Sequence, residues 1–354
     1  MTAPENASPL KTRLRVMAEE LGFQAFGVVG IAAALRREYY LKWIAEGQHG
    51  SMGWMERNND RRLHPPNFLP EARSIIMVGM NYYQPYPQVG YKVARYALGE
   101  DYHNFLFKRL KKLCTAMREL GGEQRPCVDT APVMEKPLAS QAGLGWQGKS
   151  TILVHRKRGT WLLLGTIFTT LELEPDTPEP DRCRSCTRCI DACPTQAITG
   201  PYQLDARRCL AYLSIEHDGV IPEEFREAMG DRLFGCDECL NVCPWNRWAE
   251  ASAEEKLKPR PLPENLRDSF EWTEDYYNLR FGGTPLKRLR LPRWLRNACV
   301  VLGNTGTAAD LPALEKLAAG PDAMVAEHAA WAVRRIRERR AGEGNFPPKE
   351  NGAA

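Results

Sequence analysis

Eight of the 11 cysteines in this 354-residue chain fall between positions 183 and 243. The run Cys183-x2-Cys186-x2-Cys189-x3-Cys193-Pro194 has the spacing by which a tight loop wraps three thiolates around a 4Fe–4S cube, with a fourth ligand arriving from elsewhere in the chain. Cys209 and then Cys236-x2-Cys239-x3-Cys243-Pro244 follow it. In two-cluster proteins of the bacterial ferredoxin type, the Cys before Pro ligates the other cluster. That crossing assigns Cys183, Cys186, Cys189 and Cys243 to one cluster and Cys193, Cys209, Cys236 and Cys239 to a second, with none left over. A zinc ribbon explains two Cys-x-x-Cys pairs but not this double pattern. Two neighbouring clusters carry single electrons, so the chain is expected to feed a partner, or a cofactor and substrate of its own. Cys114, Cys127 and Cys299 sit in helix or strand patterns and read as small core residues.

Three other motifs invite chemistry. Gly143-Leu144-Gly145-Trp146-Gln147-Gly148-Lys149-Ser150 fits the phosphate-loop expression, but a helical stretch (133–142) precedes it and a strand follows, the reverse of a true phosphate loop. ATP binding is rejected, and the glycines are expected to permit close backbone approach to a ligand. Asp101-Tyr102-His103 has the D-x-H of cobalt-ligating corrinoid sites but lacks the glycine that should follow (Leu106 stands there), so His103 reads as a helix-start or pocket residue. Asp129 lies between an apolar strand and a helix. It suits either a helix N-cap or a general acid at the edge of a sheet, and the residues alone favour the cap.

A basic stripe follows the cysteines. Between Asp275 and Asp310 there is no acid, while Arg280, Lys287, Arg288, Arg290, Arg293 and Arg296 are all present. With Tyr276, Tyr277, Phe281 and Trp294 interleaved, this is the pattern expected for a phosphate-rich partner, and an RNA loop with splayed bases fits better than long duplex. Arg334, Arg335, Arg337, Arg339 and Arg340 read equally as a solvated helix face.

The elements that must hold these groups can be outlined. Over 10–170, apolar periodicity predicts helices near 14–21 and 101–120 and strands at 25–29, 74–80, 151–154 and 161–164: an α/β domain over residues 1–171. The segment 172–181 has five acids and three prolines and reads as an extended connector. The two-cluster domain spans 172–255. Residues 256–341 read as a basic connector and HEAT-like helices, because Asn297 to Leu302 aligns with His328 to Val333. Residues 342–354 read as a disordered tail.

Composition excludes other classes. At 43% hydrophobic the chain can build a core without disulfide staples, and its small net charge of +4 selects no partner. Its longest apolar run, Trp161 to Phe168, is far short of the roughly 20 residues of a membrane span. No secretory signal is visible in Met1 to Leu10, so the expected compartment is the cytoplasm. Nothing in the pattern calls for assembly, and a monomer is expected.

Taken together and in order, the motifs resemble those of the epoxyqueuosine reductase family over about residues 10–340. The matching pieces are Ala94-Arg95-Tyr96, Gly99-x-Asp101-Tyr102-His103, Val128-Asp129-Thr130, Gly143-x-Gly145-Trp146-x-Gly148-Lys149, both cysteine runs, Gly283-Thr284-Pro285 and Arg296-Asn297-Ala298. The resemblance implies reduction of epoxyqueuosine to queuosine at the wobble position of tRNA. It implies a base-off cobalamin in the N-terminal domain, fed by the two clusters from an external one-electron donor of flavodoxin or ferredoxin type. It makes Asp129 the proton donor. It puts cobalamin contacts on Arg62, Ala94, Asp129, Leu153, Leu164, Ala211, Ser214, Cys236 and Asp237. It lays the tRNA anticodon loop over Lys136, His217 and the basic stripe. Two alternatives are a dehalogenase-like corrinoid reductase acting on a small molecule and a ferredoxin-type electron carrier. The first is usually exported with a leader, which this chain lacks. The second does not need 170 residues ahead of its clusters.

Overall fold

The computed structural model describes residues 9–32 and 36–343. The expectations for Met1 to Ser8 and for 344–354 lie outside the described residues. Residues 342–343, expected in the tail, continue the helix Ala323–Glu343.

The chain packs as two units that cross the boundaries drawn from sequence. One comprises Met1–Pro85, Arg95–Cys209 and Asp237–Arg260. The other comprises Tyr86–Ala94, Leu210–Cys236 and Pro261 onward. The first thus takes the N-terminal sheet together with seven of the eight cysteines at 183–243, Cys236 falling in the second. The second draws two short segments from earlier in the chain, which composition could not reveal.

In the first unit, strands β1 (Ala25–Gly30), β2 (Ser74–Asn81), β4 (Gln124–Cys127) and β7 (Leu162–Thr169) form one sheet in the order β1-β2-β7-β4. Every neighbouring pair is antiparallel, with Val78 opposite Gly165 and Cys127 opposite Thr166. Since β2 and β4 both run against β7, their C-terminal ends share one edge of the sheet. That edge carries Asp129. The central strand β2 is buried along its whole length, which accounts for its unbroken apolar run Ile75 to Val78. Helix Tyr102–Arg118 presents Phe105, Leu106, Leu110, Leu113 and Met117 to one face of the sheet, the spacing of a single helical stripe. Helix Glu135–Gln141 covers the other through Leu138 and Ala139.

The strands expected at 151–154 and 161–164 do not pair with each other. Instead β6 (Leu153–Val154) pairs with β5 (Trp146–Gln147), while β7 joins the main sheet. Thr151, at φ 66°, turns the chain between β5 and β6.

In the second unit, β3 (Lys92–Val93) runs parallel to β8 (Arg232–Phe234). Helix Arg290–Thr305 packs against Ala323–Glu343, and Leu311–Ala318 packs on the latter. Gly303 is the close-approach point, since a Cβ there would stand 2.2 Å from the Trp331 ring.

Candidate active site and cluster loop

The start of helix Tyr102–Arg118 builds the reactive cluster. Asp101 is its N-cap, accepting from the His103 backbone N–H at 3.0 Å. The same Oδ1 stands 2.6 Å from His103 Nδ1, and His103 Nε2 is 3.0 Å from Asp129 Oδ2. The Tyr102 hydroxyl also hydrogen-bonds Asp129, and its ring stacks on the imidazole at 4.1 Å. Asp129 is not a helix cap, because Met134 occupies that position for helix Glu135–Gln141. It lies in the loop after β4 with its side chain 53% exposed, open to an incoming group.

Charge is divided unevenly over this cluster. Burial works to lower His103, but the hydrogen bonds and charges of Asp101 and Asp129 outweigh it and raise the imidazole to about 9. Burial works to raise Asp129, yet His103, Tyr102 and Lys136 hold its carboxyl below the ordinary value. At neutral pH the proton therefore rests on the imidazole and Asp129 is the carboxylate. Burial, with the Asp129 charge behind it, pushes Glu135 up to about 8. Its Oε1 is buried without a hydrogen-bond partner, in keeping with a neutral carboxyl. Both ring nitrogens of His103 face carboxylates.

Arg62 is buried over the Tyr40 ring, and its Nε has no partner. An orphaned guanidinium nitrogen of this kind fits a polar ligand group. Leu153 is buried and Leu164 half-buried. Asp237 is buried and already engaged: its Oδ2 accepts from the Arg95 backbone at 2.9 Å and lies 3.6 Å from the guanidinium. Arg95 also donates to Gln84 O and Asn241 Oδ1 and lies over the Tyr83 and Trp161 rings.

None of the 11 cysteines forms a disulfide. The thiols of Cys183, Cys186, Cys189 and Cys243 are mutual electrostatic neighbours; burial first and then the other three thiols push Cys243 up to about 11. Four such thiols suit a site that binds thiolates to positive iron. Among the described residues no three ligand side chains are spaced for a single metal ion. A cube spreads its thiolates wider than one ion does. Cys183 Sγ additionally accepts from the Trp146 indole N–H at 3.4 Å, and Cys193 Sγ from the Ala197 N–H at 3.2 Å. Cys209 and Cys239 are half-buried, as is Cys236 in the other unit, while Cys114, Cys127 and Cys299 are core residues.

The glycines of the phosphate-loop look-alike approach the chain itself rather than a ligand. A Cβ on Gly145 would stand 2.1 Å from Val154 O, and one on Gly143 2.6 Å from Thr177 O.

In the second unit the basic stripe divides. Arg280, Lys287, Arg288 and Arg290 are exposed, although Arg288 pairs with Glu216 at 2.7 Å. Arg293 donates to Ile215 O and pairs with Asp218. Arg296 is a correction. It is fully buried, donating to the carbonyls of Leu213, His217 and Gly219, so it cannot meet a phosphate. Burial first, then Arg293, lowers it to about 9. Beside it Asn297 donates to Ser214 O and Leu233 O. The interleaved aromatics are also corrected: Tyr277, Phe281 and Trp294 pack against one another in the core, and only Tyr276 is exposed. Of the last five arginines, Arg334, Arg335 and Arg337 pair with Glu223, Glu227 and Glu315, and Arg339 binds the Gly303 and Gly306 carbonyls. His217 Nε2 lies 2.9 Å from Val220 O. Ala94 is buried and Ala211 half-buried. Ser214 is buried, donating its hydroxyl to Leu210 O and accepting from Gly235 N–H, which leaves that hydroxyl unavailable to a ligand.

Residues 182–246 match the family described as 4Fe-4S double cluster binding domain, and residues 62–130 match Epoxyqueuosine reductase QueG, DUF1730. The epoxyqueuosine reductase of Xanthomonas campestris pv. campestris is 43% identical over 91% of this chain and 94% of its own.

The chain belongs to the epoxyqueuosine reductase family.

The Escherichia coli epoxyqueuosine reductase is 38% identical over 96% of this chain and 93% of its own. A solved epoxyqueuosine reductase superposes at TM-score 0.85 with 27% identity, covering 96% of both chains. Another, in complex with an epoxyqueuosine-modified tRNA-Tyr stem loop, superposes at 0.84 with 27% identity, covering 96% and 95%. As a member of the epoxyqueuosine reductases, this chain is an oxidoreductase with a double 4Fe–4S domain. No described helix is long and apolar enough to cross a membrane. Sequence reasoning passed over Tyr102, Glu135, Trp146 and Arg95 as functional groups. Of these, Arg95, Tyr102 and Trp146 stood inside quoted motifs, and nothing in those motifs distinguished a hydrogen-bonding residue from a packing residue.

Proposed function

We propose that this chain reduces epoxyqueuosine to queuosine in tRNA, with Asp129 serving the epoxide oxygen and His103 holding the proton that Asp129 delivers. The observation that carries the reading is the 2.6 and 3.0 Å pair of contacts that suspends His103 between Asp101 and Asp129. Deoxygenation of the epoxide takes up two electrons and two protons and releases water. When bound, the two clusters and a cobalamin would supply the electrons. The chain's own residues deliver the first proton, and bulk solvent supplies the second as the oxygen leaves as water. Asp129, half-open at the sheet edge, accepts one from His103 Nε2 and passes it to the oxygen as the C–O bond breaks. Asp101 keeps the imidazole oriented throughout, and Tyr102 steadies the carboxylate.

The ligand sets for this reading are the two groups of four cysteines already given. Arg62, with its orphaned Nε, is the residue best suited to a polar edge of the cobalamin, beside Asp129, Leu153 and Leu164. For the nucleic acid, Lys136 beside Asp129 and the exposed Arg280, Lys287, Arg288 and Arg290 supply the cationic surface, with His217 and Arg293 secondary. The donor is a small one-electron carrier. Substitution Asp129→Asn tests the reading. Turnover on epoxyqueuosine-containing tRNA should fall by about 10²-fold or more, with cluster absorbance and cobalamin binding retained. Normal turnover in that variant rejects the assignment.

A further inference from the structure

The Gly143–Ser150 segment has no phosphate to hold, yet it is built around one cysteine. The Trp146 indole N–H points at Cys183 Sγ, 3.4 Å away, and the Lys149 backbone amide lies near enough to the same sulfur to favour its thiolate. The Lys149 ammonium donates to the carbonyls of Arg184, at 2.5 Å, and Cys186, at 3.0 Å, so it grips the cysteine loop from the side. Gly148 passes so close that a Cβ there would stand 3.5 Å from Cys183 Sγ and 2.9 Å from Val154 Cγ2.

Trp146 cannot drift from this position. It is 2% exposed, its strand pairs with Val154, and its ring meets the edge of Trp245 at 4.9 Å and 77°. Trp245 lies two residues beyond Cys243, so the indole that donates to Cys183 also packs on the segment that follows Cys243. The choice of partner is specific as well. Trp161 and Trp294 are equally buried, and their indole nitrogens have no partner at all. Among the described residues, it is at Trp146 that the fold brings an indole N–H to a thiol of the proposed ligand set.

An N–H donor on a ligating thiolate draws negative charge from the cluster. It stabilises the reduced, more negative state most and so raises the reduction potential. A lysine ammonium fixed on the same loop acts in the same direction. We propose that Trp146 and Lys149 are positioning residues that raise the potential of the cluster held by Cys183, Cys186, Cys189 and Cys243. This rests on the two-cluster reading above.

The experiment is a redox titration of the reconstituted holoprotein followed by EPR, with iron and sulfide determined in parallel. In Trp146→Phe, one of the two midpoints should move negative while the other stays. The expected shift is up to tenfold in the ratio of reduced to oxidised cluster at fixed ambient potential, or about 59 mV for a one-electron couple. Should the smaller ring cost the cluster itself, benzothienylalanine at position 146 keeps the bicyclic shape and lacks only the N–H; the same shift is expected. Lys149→Gln should move the same midpoint negative, and Lys149→Arg should restore it. Full iron content with both midpoints unmoved overturns the proposal while leaving the clusters standing. A parent protein that assembles no iron–sulfur cluster overturns the two-cluster reading and the proposal with it.

Discussion

Asp101 Oδ1 accepts from the His103 backbone N–H at 3.0 Å and stands 2.6 Å from His103 Nδ1. One carboxylate therefore starts a helix and orients the imidazole that serves Asp129.

That double attachment predicts a pH dependence. His103 is raised from 6.5 to about 9, so its ion pairs stabilise the fold fully below about 6.5, and the contribution disappears as pH rises through about 9. The wild type should lose on the order of 1–3 kcal/mol between pH 6.5 and 9.5 from this source. His103→Gln should lack that decline in urea unfolding. Its single-turnover reduction rate should be lower by about 10²-fold and lack the alkaline limb near 9. Unchanged turnover would remove His103 from the proton path.

Glu135 shifts the other way in chemical terms. Its folded value of about 8 exceeds the ordinary 4.5, so the folded chain keeps a proton the unfolded chain has shed. Stability should fall as pH rises from about 4.5 to about 8. Glu135→Gln should be indistinguishable from wild type below pH 4.5 and more stable by about 1–2 kcal/mol at pH 8. Equal urea midpoints for the two proteins at pH 8 would contradict the neutral carboxyl.

Arg296 and Arg280 lie in the same acid-free run and should behave oppositely. Arg296→Ala removes a fully buried guanidinium that donates to the Leu213, His217 and Gly219 carbonyls, and should cost about 3 kcal/mol or more. Arg280→Ala should leave the melting temperature in place, weaken tRNA binding and reduce the slope of log K against log salt by about 0.7 to 0.9. A melting temperature untouched in the first variant, or a salt slope untouched in the second, would each refute its part.

Arg95→Met tests the anchoring of the Asp237 turn. The substitution preserves bulk but takes the guanidinium away from a buried carboxylate, which costs about 3–5 kcal/mol. Adding Asp237→Asn should recover much of that loss in the double variant. No recovery would mean that the two residues do not act as a pair.

The cluster loops could be read from the chain because their ligands are local: cube geometry imposes the two- and three-residue gaps directly on the sequence. The long helix and strands β1, β2 and β7 were legible for the same kind of reason, each being long enough to show its period. The relay was not. Asp129 is 26 residues from His103, and only the shared sheet edge brings them together, so Asp129 read as a cap. Arg296 misled for a complementary reason. A cation in an acid-free stretch normally faces solvent, and the carbonyls that satisfy it come from 213–219, about 80 positions earlier. Strands of two or three residues, such as β3, β5 and β8, carry no periodicity to read, although β6 fell inside the strand expected at 151–154.

The second unit has an order of assembly written into it. Residues 86–94 and 210–236 leave the ribosome long before Arg296 and Asn297, the side chains that bind the carbonyls of Leu213, Ser214, His217, Gly219 and Leu233. Until those late helices arrive, the early segments have no lid for their backbone groups, and closing them spans a long stretch of chain. A nascent chain halted before position 296 would therefore expose an unfinished unit to chaperones and proteases, however complete its cysteine loops might be.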